Sequence, residues 1–280
     1  MTNTPPSSPI SASPISASPI LADTITKLPP MAAGAVVVAA SHGGRYPGHL
    51  AARAGVCAVI LNDADGGLDA AGTGALPLLE AAGIAAATVS CLSCRIGDAA
   101  DMLARGRISH ANAAAVALGV TPGMTCRDAA LRLRAAPHRQ ATLPPLGEIR
   151  GEVAVPGAAR RPLLLDSASL VRPEDAGQVI VTGSHGGLLG GNPGAALAVA
   201  AFAAVFNDAG IGIDQAGLSR LPALQARGIA AVTVAAASAR IGDAASSHRD
   251  GIVSATNPLA TRLGAGDRAA PLLERWARQR

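Results

Sequence analysis

The chain is almost without lysine. Of its 23 basic residues, Lys27 is the single lysine and the other 22 are arginines. A Walker-type phosphate loop needs a lysine after its glycines, so that loop is excluded. Schiff-base and pyridoxal-phosphate chemistry need a lysine in the core, and there is none to supply it. Aromatic residues are nearly missing too: Tyr46, Phe202, Phe206 and Trp276 are all there is. A binder of single-stranded nucleic acid needs stacking platforms that these four cannot build. A stacked flavin is disfavoured on the same ground. No Gly-x-Gly-x-x-Gly follows the first apolar run, which argues against a nicotinamide site. The longest apolar run, Ala195–Phe206, is short and alanine-rich, so no membrane span is expected. A basic segment followed by an apolar stretch, the mark of a secretory leader, is lacking at the N-terminus. The four cysteines (Cys57, Cys91, Cys94, Cys126) fall in the first half. Reduced thiols and a cytoplasmic location are the expectation. Net charge is +4, but Arg275, Arg278 and Arg280 at the C-terminal end supply the excess, where cations complement a helix dipole. Nucleic acid is therefore not expected as a partner.

What is present is a core. The 280 residues are 49% hydrophobic, enough for one large domain or two small ones. Residues 1–30 hold seven of the 20 prolines and a small Ser-Pro-Ile tandem repeat. Such a segment buries too little to offset its ordering entropy, and it reads as a disordered leader.

The rest repeats itself. Residues 62–119 align with 207–264 at an offset of 145 without a gap, and roughly half the positions are identical. Ser41-His42-Gly43-Gly44 recurs as Ser184-His185-Gly186-Gly187 at an offset of 143. This gives a first α/β repeat over 31–135, a connecting segment over 136–175 and a second repeat over 176–280. In the connecting segment Glu152–Val155 and Leu163–Asp166 are spaced to pair as a hairpin. Within each repeat, continuous apolar runs alternate with helical patterns. Strands are predicted at Val36–Ala40, Cys57–Leu61, Ala85–Val89 and from Ile108. Their partners are Val179–Thr182, Ala203–Phe206, Ala230–Val234 and Ile252–Val253. Helices are predicted near 48–53, 74–82, 98–105 and 113–118. The fold class is α/β: two duplicated βα-repeat units with mainly parallel sheet, related by a pseudo-twofold axis.

Ligands of open α/β sheets bind beyond the carboxyl ends of the strands, and the repeated polar residues fall there. The Ser-His-Gly-Gly turns offer backbone N–H groups of Gly43, Gly44, Gly186 and Gly187 to an anion, and a histidine as acid, base or ligand. Asn62-Asp63 and Asn207-Asp208 end the next strands. There the carboxylates would orient His42 and His185 or share a divalent metal with them, though such residues also make plain turns. Ser93-x-Arg95-Ile-Gly-Asp98 and Ser238-x-Arg240-Ile-Gly-Asp243 offer arginines suited to a carboxylate or phosphate. Asp98 reads equally well as a helix cap. Asn112 and Asn257 close the set. Ser41, Ser93 and their copies Ser184 and Ser238 are candidate nucleophiles. Cys91-x-x-Cys94 has half-site spacing for zinc or redox work, but Ala236 and Ala239 replace it in the second copy. His110 is likewise replaced by Ala255. A strand ending in His-Gly and a next strand ending in Asn plus a small residue resembles caspase-type cysteine peptidases. Ala64 and Ala209 stand where those place the nucleophile, so their function is not carried over.

The expected function is a small-molecule enzyme, most simply a hydrolase of a small polar or anionic metabolite. A non-catalytic anion-binding protein is the alternative, and an isomerase or racemase using mirrored groups is the third reading. No cofactor is required, a divalent metal is optional, and a homo-oligomer is compatible with the sequence.

Overall fold

The computed structural model describes residues 18–139, 141, 143–260 and 265–279. Residues 1–17 of the expected leader, 140 and 142 of the expected connecting segment, and 261–264 and Arg280 of the expected second repeat lie outside the described residues. The fold is α/β with two sheets of mostly parallel strands.

In the first sheet the strands lie side by side in chain order. They are β1 (Ile20–Ala22), β2 (Val36–His42), β3 (Ala58–Asn62), β4 (Ala85–Val89) and β5 (Ile108–Ala111). The first four are parallel and β5 runs against β4. Helices α1 (Arg45–Arg53) and α2 (Ala75–Ala81) cover one face. Helices α3 (Ala99–Arg105), α4 (Ala113–Ala117) and α5 (Cys126–Leu133) cover the other. Both faces being covered explains why the strands read as unbroken apolar runs. Alternation still divides them: Val36, Val38 and Ala40 enter one core, Val37 and Ala39 the other.

The second sheet runs β6 (Arg150–Glu152), β7 (Pro162–Leu165), β8 (Val179–His185), β9 (Ala203–Asn207), β10 (Ala230–Val234) and β11 (Val253–Thr256). Strands β7 to β10 are parallel, while β6 and β11 run antiparallel at the edges. Here α6 (Arg220–Ala226) packs on one face and α8 (Ala269–Arg278) on the other. Helix α7 (Ala244–Arg249) packs over β7 and β8.

Three features differ from the sequence reading. The leader is not unstructured as far as residue 30. Ile20–Ala22 adds a parallel edge strand to β2, and Ile25 is 3% exposed. Its apolar residues are few but well placed. Second, the expected hairpin of Glu152–Val155 with Leu163–Asp166 is displaced: β6 is Arg150–Glu152, which pairs antiparallel with Leu163–Leu165, and β7 pairs in turn with β8, so the pair extends the second sheet. Third, no α-helix follows β8 where α1 follows β2. Pro193 and the glycines at 190, 191 and 194 reduce that stretch to two single 3-10 turns.

Candidate functional site

Ile20–Lys27 and Leu163–Leu170 are arranged alike, at the offset of 143 that the Ser-His-Gly-Gly turns also show. Asp23 accepts from the Ala99 N–H and Asp166 from the Ala244 N–H, at 3.0 and 3.1 Å. Thr24 and Ser167 each cap a 3-10 turn. The Ser41 hydroxyl accepts from the Ile25 N–H at 3.0 Å, and Ser184 from the Ala168 N–H at 2.9 Å. Each segment thus lies across the end of the neighbouring strand and positions its serine.

Those two strand ends face one cavity of about 280 Å³ between the two sheets and their helices. Ser41, His42, Ser184 and His185 line it together, with Glu148, Asp166 and Arg220. That volume suits a small metabolite. The regular β2–β3 pairing breaks between Val38 and His42, and β8–β9 between Val181 and His185. Gly44 N–H donates to His42 Nδ1 and Gly187 N–H to His185 Nδ1, both at 3.2 Å. A ring that accepts at Nδ1 carries its proton on Nε2 when neutral. Burial lowers His42 to about 4, and pushes His185 well below the ordinary histidine value. Arg220 and His42 add to the shift of His185, since each opposes a second positive charge. Both rings are therefore neutral Nε2–H donors at neutral pH. Glu148 moves the other way. Burial, then the charge of Asp166, raises its carboxyl to about 7. Sequence reasoning missed Glu148 because it lies in the unrepeated stretch. The parallel between Asp23-Thr24-x-Thr26 and Asp166-Ser167-x-Ser169 was the available signal for the two lining segments.

The other expected site residues are placed elsewhere. Asp63 does not meet His42. Its Oδ1 accepts from the backbone of Asp65 and Cys91, and Asp208 holds Gly210 and Ala236 in the same way. Asn62 and Asn207 accept from Ala64 and Ala209 N–H, so they are turn residues. The amides of the glycine pair are occupied. Gly43 and Gly186 donate to Asn62 O and Asn207 O, and Gly44 and Gly187 to the rings. They are not free to hold an oxyanion. Ser93 and Ser238 each donate to a backbone carbonyl and accept a backbone N–H. Asn112 and Asn257 lie at the opposite edge. Because β5 and β11 are antiparallel, their ends return to the starts of β4 and β10, where Asn112 accepts from Ala86 N–H and Asn257 from Ala231 N–H.

Arg95 and Arg240 tie the halves of the molecule together. Arg95 pairs with Asp214 at 2.9 Å and Arg240 with Asp69 at 2.7 Å. The loops that carry these aspartates hold Asp69, Ala70, Asp214 and Gln215 in the left-handed region, at φ 53 to 56°. Non-glycine residues rarely stand there, and the cross-ties help fix them. Asp98 and Asp243 cap α3 and α7. Each Ile-Gly-Asp turn also packs over the opposite histidine. A Cβ on Gly242 would come 3.1 Å from His42 Cε1, and one on Gly97 3.5 Å from His185 Cε1.

Among the described residues no group of three or more His, Cys, Asp or Glu side chains is arranged to hold a metal ion. Cys91 and Cys94 are buried and their thiols are pushed up to about 12, so neither is a ready nucleophile. Among the described residues no helix is long and apolar enough to cross a membrane. The chain matches no protein-family model, and comparisons with curated proteins and with solved structures find no match.

Proposed function

We propose that the chain is an internally duplicated small-molecule enzyme, a hydrolase of a small polar or anionic metabolite. Its site is the cavity between the two units. The observation that carries this reading is that Glu148 and two neutral histidines line the same small cavity. A carboxyl near neutrality is matched to proton transfer at physiological pH. Glu148 takes a proton from water as that water adds to an acyl carbon, and returns the proton to the leaving oxygen or nitrogen as the acyl bond to it breaks. His42 and His185, as Nε2–H donors, polarise the acyl oxygen without carrying charge themselves. Among the described residues neither Ser41 nor Ser184 is hydrogen-bonded to a ring, which favours water over serine as the nucleophile. The serines orient the substrate through their hydroxyl protons. The reduced interior thiols suit a cytoplasmic protein.

The test is a panel of small esters, amides and lactams bearing a carboxylate, followed by proton NMR with parent, Glu148→Gln and His185→Gln. Turnover by the parent, lost at least about a hundredfold in Glu148→Gln, is the expected result. Ligand binding without turnover between pH 5 and 9 would mark a binding protein instead. Deuterium entering an unhydrolysed substrate from D2O would mark an isomerase.

A further inference from the structure

Arg220 opens α6 and is 4% exposed. Its partners among the described residues are carbonyl oxygens. Nε donates to Gly187 O at 3.0 Å, and Nη1 donates to Ala195 O at 3.2 Å and to Ala196 O. The Phe206 ring lies 5.0 Å from the guanidinium carbon. Among the described residues no carboxylate reaches ion-pair distance of it. Buried charges in folded proteins are normally paired, and here the pairing charge is lacking. Nη2 has no protein acceptor among the described residues. No fully buried side-chain nitrogen there is left without a partner, so Nη2 borders open space. The open space beside Arg220 is the cavity with His42, His185 and Glu148.

The cation is one-sided. At the offset of 145 the first unit has Ala75, fully buried and small. The serines and histidines occur on both sides of the cavity, while the buried guanidinium occurs once. The rest of the lining limits the anion. Glu148 and Asp166 would repel a dianion, and Pro47, Leu50, Leu189 and Leu197 offer apolar wall. With Nε and Nη1 engaged, Nη2 is left to donate to a carboxylate oxygen, and the guanidinium's charge then gains its counter-ion.

We propose that Arg220 anchors the carboxylate of a small monoanionic ligand with an aliphatic body, one per chain, seated against the second unit. This rests on reading the cavity as the ligand site, and the experiment separates the two claims. The full-length protein is titrated with butyrate, with its neutral isostere butyramide and with inorganic phosphate. The ring signals of His42 and His185 are followed by NMR and assigned through His→Gln variants. Butyrate is expected to shift both rings with one-to-one saturation. Butyramide should need at least about tenfold more ligand. Arg220→Met should erase that preference, and Arg220→Lys, which keeps the charge if Met disturbs the fold, should retain part of it. Equal binding of butyrate and butyramide would overturn the proposal, as would tighter binding of phosphate. So would an unchanged butyrate titration in folded Arg220→Met; in that case the cavity remains a ligand site. If no probe shifts either ring up to about 50 mM, the cavity itself is not the ligand site, and both claims fall.

Discussion

His42 and His185 set how the protein responds to acid. In the folded chain His42 titrates at about 4, below its ordinary 6.5, and His185 is displaced in the same direction. The unfolded chain takes up protons that the folded chain refuses, so their share of stability is full above about 6.5 and is lost as pH falls towards 4. Glu148 acts in the opposite sense. Its folded carboxyl titrates at about 7 against an ordinary 4.5, so its contribution is full below about 4.5 and is lost as pH rises through 7. Melting temperatures measured from pH 4 to 8 should show both effects. The double variant His42→Gln/His185→Gln is expected to lose much of the acid-side fall, and Glu148→Gln to lose the decline between pH 4.5 and 7. A parent-like profile in both variants would mean that these side chains are not buried as described. At this scale the sequence was readable where a residue is repeated at a strand end, as with the two serines and histidines. Glu148 and Arg220 are single, so no internal comparison pointed to them. Arg95 and Arg240 were read as ligand clamps because their true partners, Asp214 and Asp69, lie far away in sequence.

The segment Ile20–Lys27 links element formation to the site. Ile25 inserts between β2 and α1, and its N–H holds Ser41. Ile25→Ala should cost about 2–5 kcal/mol in urea unfolding, the usual range for truncating a buried isoleucine to alanine. It should also disturb the His42 ring signal, because Ile25 lines the same cavity. A loss below about 1 kcal/mol would show the segment to be loosely attached. Composition concealed this element: a Pro/Ser-rich stretch buries little on average, yet two side chains at the right register are enough. Most other strands were legible from their apolar runs, but β6 was not: Arg150-Gly151-Glu152 has no apolar run, and the expected Val153–Val155 lie beyond it. The direction of β5 and β11 was not legible, because hydrophobic pattern reports burial and period but not which way a strand runs. That one reversal moved Asn112 and Asn257 from the expected site to the far edge of each sheet.

The two sheets, with their helices and loops, share an interface as well as a cavity. Ala64, Ile96, Ala209, Ala216 and Ile241 form a small buried cluster between them. Backbone bonds cross the same seam, from Leu68 N–H to Ala236 O at 2.8 Å and from Ile213 N–H to Cys91 O at 2.9 Å. Gly190 N–H donates to Gly97 O at 2.8 Å. Gly97 itself is at φ +85°, and a Cβ there would meet Leu188 O at 2.3 Å. Gly97→Ala therefore strains the backbone and forces the halves apart at the roof of His185. A loss of more than about 2 kcal/mol is expected, since a β-carbon is strained at that φ and the obstacle is backbone that cannot turn aside. Because the seam includes core, the loss should appear in both units together. Calorimetry of the parent should give one transition, and Gly97→Ala should give one transition at lower temperature. Two separated transitions, with only the first-unit one lowered, would show that the ion pairs and the small cluster merely bring independent domains together. The cavity would then be a gap whose width varies, and Glu148 and the two histidines that line it could not carry the chemistry.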